Sequence, residues 1–223
     1  MSPAPLPAPS DKARIAVFVS GGGTNLQALL EKEAAGDLPH GEIVLVISNR
    51  KNAYALERAK KFGKKAVYCP SKKSDPDQFE DAVQPLLAEA GVELILLAGF
   101  LAILSPTFIQ RYEGRILNIH PSLIPAFCGP GFYGLKVHEA ALARGVKVSG
   151  ASVHLVNAET DGGPILLQKA VDVLADDTPE RLQQRIMKEA EWVLLPQAAE
   201  LVAQRIVEDR IERSLDPHAQ SKA

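Results

Sequence analysis

Cysteine is nearly absent: Cys69 and Cys128 are the only two in 223 residues. Two are too few for a disulfide framework and form no spaced metal site, so a reducing, cytoplasmic setting is expected. No set of metal ligands stands out elsewhere, so no metal is expected and activity should survive a chelator. Neither sign of charge dominates. The formal net charge is −2, which speaks against nucleic-acid binding as the main task. No apolar run reaches the length of a membrane span. The first ten residues, Met1 to Ser10, alternate proline and alanine without a charged or apolar block, unlike a signal peptide. Residues 1–12 are expected to be a disordered leader.

What remains is a chain of ordinary hydrophobic content, 46%, long enough to bury one substantial core. A single domain over 13–207 is expected, followed by a polar, frayed tail over 208–223. Apolar runs of strand length start at Arg14, Glu42, Lys65, Gly91 and Arg115. Amphipathic stretches lie between them, at Thr24–Ala35, Asn52–Phe62, from Asp75, and from Ser105 to about Tyr112. Asp75-Pro76-Asp77-Gln78 and Ser105-Pro106 read as helix starts. Strand and helix alternating over short links imply right-handed crossovers and a parallel sheet with helices on both faces. Later runs at Val146–Val156 and Pro164–Val173 read as an antiparallel pair extending that sheet. Thr178-Pro179 opens a last long helix with Leu182, Ile186, Ala190 and Val193 along one stripe. Pro196 is expected to kink or end it.

Two stretches carry candidate chemistry. In Arg115-Ile-Leu-Asn-Ile-His-Pro-Ser-Leu-Ile-Pro125, Asn118 and His120 are two residues apart, so an extended backbone points both the same way. Pro121 then ends the ladder. An amide donor beside a group that can move a proton suits an oxygen that gains charge. A strand end whose side chains satisfy loop carbonyls fits equally well. The second stretch, Asn157-Ala-Glu-Thr-Asp-Gly-Gly-Pro-Ile165, offers the carboxylate of Asp161, able to orient an imidazole. Two glycines follow it and permit close backbone approach. A third feature, Ser20-Gly-Gly-Gly-Thr-Asn-Leu26, is a strand-to-helix loop. It is either an anion site or only a tight turn, with Thr24 and Gln27 spaced as a capping box.

Taken together, these segments resemble the glycinamide ribonucleotide formyltransferases of purine synthesis. The likeness is carried by the Ser20–Leu26 loop, Leu97-Ala-Gly-Phe-Leu101, Leu104-Ser-Pro106, the Asn118–Pro125 block, Ser152-Val-His154 and Asp161-Gly-Gly-Pro164. It runs from about Arg14 to about Gln204, and the Asn-x-His-Pro-Ser-Leu block is its most specific part. The resemblance implies a Rossmann-like α/β formyltransferase fold. It also implies 10-formyltetrahydrofolate as co-substrate, glycinamide ribonucleotide as small-molecule acceptor, and a monomer or homodimer. It assigns catalysis to Asn118, His120 and Asp161, and the ribonucleotide phosphate to Gly23, Thr24 and Asn25. Glu191 falls to the amine side of the ribonucleotide, although by its sequence position alone it reads as a solvent-facing helix residue. The folate falls to the backbone of Leu101, Ala102, Ile103 and Leu104 and to the Asp161 loop.

The chain departs from that pattern at Ala102, where many members carry arginine, and over Cys128–Gly134, which is longer and more aromatic than in some. That aromatic segment is either a mobile lid or a packed surface loop. Of the other histidines, His154 reads as a hydrogen-bonded structural residue inside a strand or one that lines the site, and His138 as a helix cap or cofactor contact. His40 and His218 read as surface residues. Three other readings share features. Methionyl-tRNA formyltransferase would be expected to bring a further C-terminal domain, and formyltetrahydrofolate deformylase a further N-terminal one. A non-catalytic nucleotide-binding module would leave Asn118, His120 and Asp161 together by accident.

Overall fold

The computed structural model describes residues 11–71 and 76–215 of the protein. The apolar run after Arg14 forms strand β1 (Ala13–Val19), buried at every position but Arg14. It is joined by β2 (Gly41–Ser48), β3 (Lys65–Tyr68), β4 (Leu94–Leu97) and β5 (Ile116–His120), all parallel. Strands β6 (Val148–Leu155) and β7 (Ile165–Asp172) then add in antiparallel pairing. The sheet order is β3-β2-β1-β4-β5-β6-β7. The mostly parallel sheet with an antiparallel extension is the architecture the sequence pattern implied.

Helices α1 (Thr24–Ala34), α2 (Tyr54–Lys61), α3 (Pro76–Glu89), α4 (Pro106–Arg111) and α5 (Leu135–Arg144) lie between strands. Helices α6 (Pro179–Ile186) and α7 (Trp192–Leu215) close the chain. On one face of the sheet Val17, Val46, Leu96 and Leu117 pack against Leu26, Ala59, Ala141, Leu195 and Ala199. On the other, Ala16, Phe18, Leu45 and Ile95 pack against Phe79, Val83 and Phe108 of α3 and α4. Phe18 sits among three rings, 5.6 Å from Phe79, 5.5 Å from Phe100 and 6.4 Å from Phe108.

This order places a topological switch between β1 and β4, where the chain turns back across the sheet. In such sheets ligands sit beyond the carboxyl ends of the strands. There the loops after β1 and β4 meet: Ser20 donates its N–H to the Gly99 carbonyl (3.1 Å), and its hydroxyl accepts the Leu101 N–H (2.8 Å).

Four local features differ from the sequence reading or complete it. The Thr24/Gln27 capping box does not form. Gly23 is the N-cap of α1 with no side-chain cap, and Gln27 bonds Glu31 instead. The last helix is not ended by Pro196. A π-helical turn, Met187–Glu191, precedes α7, and α7 runs through the proline to Leu215. Such a turn holds an extra residue, which loosens the ladder just where a proline lacks its N–H. Residues 208–215, expected as tail, are helical, and Arg210 is ion-paired with Glu93 at 2.7 Å. Ser105 and Thr178 do cap their helices, accepting from Phe108 and Arg181. The expected N-cap Asp75, the leader up to Ser10 and His218 lie outside the described residues.

Candidate active site

Strand β5 alternates cleanly. Leu117 and Ile119 enter the first core, Ile116 the second, so Asn118 and His120 share the face of Ile116 at the strand's carboxyl end. Antiparallel pairing sets Asn118 opposite His154 and His120 opposite Ser152 on β6. The turn between β6 and β7 then brings Asp161 over both β5 side chains. Asp161 adopts a left-handed backbone, φ 56°, a conformation that Asp tolerates better than most residues. Gly163 lets that turn press onto the strand before it: a Cβ there would lie 1.8 Å from the Leu155 carbonyl oxygen. The close approach read from the glycine pair is thus to the protein's own β6 backbone.

Three predicted catalytic residues therefore form one cluster. Asp161 Oδ1 is 3.3 Å from Asn118 Nδ2, and Asp161 Oδ2 is 3.5 Å from His120 Nδ1. Oδ2 also accepts the Gly129 N–H at 2.9 Å. His120 Nε2 lies 2.9 Å from the Phe127 carbonyl, which can only accept, so Nε2 carries a hydrogen. Both nitrogens of His120 face acceptors. Burial works to raise the Asp161 carboxyl, but His154, the charge of His120 and the Gly129 N–H outweigh it and hold the group below the ordinary carboxylate range.

Two partners in this cluster were given no catalytic role from sequence. One is the backbone of the segment after Pro125: Phe127, at φ 50°, turns its carbonyl to His120 while Gly129 turns its N–H to Asp161. Phe127 packs on the core and stands edge-on to Phe132, 6.4 Å away, so this part of the aromatic segment is a packed loop. The other is His154, whose Nε2 is 3.0 Å from Asn118 Nδ2. The period-two spacing of Ser152 and His154 opposite Asn118 and His120 was the available signal. The Ser152 hydroxyl bonds the Ser122 carbonyl and receives the Ile124 N–H, fixing the turn that Pro121 begins. His138 neither caps its helix nor bonds another group among the described residues. Its ring is fully buried, and burial, aided by the charge of His120, pushes its pKa down to about 4.

Beside the cluster lies a cleft of about 970 Å³ lined by Ile124, Pro125, Cys128, Asn157, Asp161 and Ile165. Burial, together with the carboxylates of Asp161 and Glu159, pushes the Cys128 thiol up, so it stays protonated at neutral pH and is no nucleophile. Leu101, Ala102, Ile103 and Leu104 do not line this cleft. Leu101 and Ile103 are exposed, Ala102 is half-buried, and Leu104 is buried in the second core.

The glycine loop is braced from α2: the Ala55 N–H bonds the Gly21 carbonyl and Arg58 Nε the Gly22 carbonyl. With Gly23 as N-cap and no side chain capping α1, the N–H groups of its first turn are left for an outside acceptor. Asn25 sits in that turn, 8% exposed, and donates from Nδ2 to Glu191 Oε2 at 2.6 Å. Its own Oδ1 is buried without a partner among the described residues. Glu191 is not solvent-facing. The π-helical turn rotates it inward to 7% exposure, and burial, only partly offset by the Asn25 bond, raises its pKa to about 7.

The profile of the formyl transferase family matches residues 13–198. The chain is 41% identical over 184 residues to the phosphoribosylglycinamide formyltransferase of Haemophilus influenzae, covering 82% of this chain and 84% of that protein. The chain belongs to this formyltransferase family. Within it, the chain is 39% identical over 200 residues to the chloroplastic phosphoribosylglycinamide formyltransferase of Arabidopsis thaliana, covering 87% of this chain and 67% of that one. It spans only 19% of the trifunctional purine biosynthetic protein adenosine-3 of Gallus gallus, at 42% identity over 89% of its own length. Among formyltransferase structures, glycinamide ribonucleotide transformylase 1 of Symbiobacterium toebii superposes with a TM-score of 0.79 at 40% identity, over 92% of this chain and 93% of that one. A formyltetrahydrofolate deformylase of Burkholderia mallei superposes with a TM-score of 0.76 at 30% identity, over 87% and 66%. No helix among the described residues is long and apolar enough to cross a membrane.

Proposed function

We propose that this formyltransferase moves a formyl group from 10-formyltetrahydrofolate to the primary amine of glycinamide ribonucleotide, a step of purine synthesis. The observation that carries this reading is the meeting of Asn118, His120 and Asp161 within 3.3 and 3.5 Å, beside an open cleft. The amine attacks the formyl carbon and a carbon–nitrogen bond forms. The carbonyl oxygen becomes an oxyanion, to which Asn118 and His120 donate. The attacking nitrogen loses a proton towards Asp161, N10 of the folate gains one, and the bond between N10 and the formyl carbon breaks. Proximity and oxyanion stabilisation do most of the work, because a deprotonated amine is already a competent nucleophile. The Phe127 carbonyl occupies the acceptor position on His120 Nε2 that the substrate oxygen requires, so the two compete for one N–H.

The uncapped first turn of α1 suits the ribonucleotide phosphate at Gly23, Thr24 and Asn25. Asn25 Oδ1, buried without a partner among the described residues, and the Glu191 carboxyl bonded to Asn25 suit the N–H groups near the substrate amine. The folate takes the cleft beside Asp161, and the backbone of Leu101 to Leu104, which does not line that cleft, is read as a separate folate contact. In this reading the protein works in the cytoplasm as a monomer or homodimer.

The deformylase relative makes water the competing acceptor. The test is release of tetrahydrofolate from the formyl donor with and without glycinamide ribonucleotide. Release only with the ribonucleotide supports the transferase. Equal release without it makes the chain a hydrolase, and none in either case removes the catalytic reading.

A further inference from the structure

Asn118 Nδ2 carries two hydrogens, and the structure offers two acceptors: His154 Nε2 at 3.0 Å and Asp161 Oδ1 at 3.3 Å. The His154 ring is itself fixed. Its Nδ1 lies 2.9 Å from the Leu155 carbonyl, an acceptor only, so in the neutral ring Nδ1 carries the hydrogen and the Nε2 lone pair meets Asn118 Nδ2 at 3.0 Å, its nearer neighbour, with Asp161 Oδ1 at 3.6 Å. The Asp161 carboxylate, which accepts the Gly129 N–H at 2.9 Å through its other oxygen, is likewise an acceptor. Two acceptors, one through the ring and one directly, therefore turn the amide nitrogen of Asn118 inward and leave its oxygen on the other side. His154 is 2% exposed and pairs with Asn118 across the β5–β6 ladder, so neither ring nor amide has room to drift. The two bonds are also unequal. The longer one, to Asp161, is the one a substrate oxygen can displace.

We propose that His154 is a positioning residue for the reaction: its Nε2 holds one amide hydrogen of Asn118 so that the other is aimed at the developing oxyanion. The inference rests on the reading of Asn118 as an oxyanion donor. Without His154, the amide can rotate and present its oxygen, which repels the oxyanion instead of stabilising it. Nothing in this role touches the ribonucleotide loop.

The test is a double-mutant cycle measured as kcat with both substrates saturating, with KM for the ribonucleotide and thermal stability read alongside. His154→Phe fills the ring's space without an acceptor and is expected to lower kcat about tenfold or more while KM for the ribonucleotide stays within about twofold. His154→Gln, whose side-chain oxygen can reach the Nε2 position, is expected to recover most of that loss. In the Asn118→Ala background, His154→Phe should cost almost nothing further, because the group it orients is gone. An equal loss in that background overturns the proposal, as does failure of the Gln variant to recover activity while folding normally. If Asn118→Ala alone turns over normally, the donor reading falls and takes the proposal with it. Should the Phe variant fail to fold, His154→Gln and His154→Asn carry the same comparison, since the shorter Asn cannot reach Asn118. Equal activity of those two overturns the inference.

Discussion

Asn25 Nδ2 lies 2.6 Å from Glu191 Oε2, a bond that ties the first turn of α1 to the π-helical turn 166 residues later in the chain. It leaves a carboxyl group 7% exposed with no ion pair among the described residues, so burial, only partly offset by the Asn25 bond, favours its neutral form and raises its pKa to about 7.

Stability should therefore fall as pH rises across that interval. Between the ordinary value of 4.5 and about 7, the folded chain keeps the Glu191 proton and the unfolded chain does not. The native state then binds more protons, so unfolding becomes easier with each step up in pH, by about 3 kcal/mol in all, and the trend flattens above about 7. Glu191→Gln should remove this contribution and be the more stable protein at pH 8. Urea unfolding of both proteins from pH 5 to 8 checks it. Parallel curves would mean that Glu191 is ionised in the native state.

The glycine loop gives a second expectation. Gly23 has φ 75°, and a Cβ there would lie 2.5 Å from Ala55 Cβ. Gly23→Ala must push the loop off α2 or twist it out of the left-handed region. The N–H groups at the start of α1 would then lose their common aim. KM for the ribonucleotide should rise about tenfold or more, the equivalent of roughly 1.4 kcal/mol, while the folate KM changes little. An unchanged ribonucleotide KM in a folded variant would place the phosphate elsewhere.

Much of this was legible in the sequence because its signals are local. Period-two alternation gave the shared face of Asn118 and His120, and strands alternating with helices gave the parallel sheet. The inward turn of Glu191 was not legible. Leu182, Ile186 and Ala190 continue as a regular stripe towards Val193, and nothing in the residue types announces a wide turn that shifts the stripe to Leu194 and Leu195. The capping box failed for a related reason. Thr24 and Gln27 have the right spacing, but Gly23 takes the cap position through its backbone, and Arg58 on α2 and Glu31 one turn on claim the Gln27 amide. The roles of Phe127 and Gly129 are backbone roles, which side-chain identity does not encode.

The ring cluster under the switch point bears on stability and little on chemistry. Phe18 is fully buried on β1 among Phe79, Phe100 and Phe108. Phe18→Ala should cost about 3–5 kcal/mol, with the upper end expected where the three remaining rings cannot collapse into the space. Since Phe18 touches neither cluster nor cleft, kcat below the unfolding transition should stay near normal. A small stability loss in denaturant unfolding would mean that the neighbouring rings close the cavity.

Asp161→Asn separates charge from shape. An amide oxygen can still accept the Gly129 N–H, and asparagine is among the few residues that sit readily at φ 56°. The β6–β7 turn should therefore keep its place, and stability should change little. What goes is the carboxylate that faces His120 Nδ1 and could take a proton from the attacking amine. Turnover should fall by about 10²–10⁴, while ribonucleotide affinity, set at the far loop, stays within about twofold. The native carboxyl is held below the ordinary range, so acid inactivation of the parent near pH 5 should not come from Asp161. Single-turnover rates with titrated ribonucleotide separate the two quantities. Loss of affinity with turnover intact would make Asp161 a binding group. Loss of neither would leave His120 and Asn118 to carry the reaction without it.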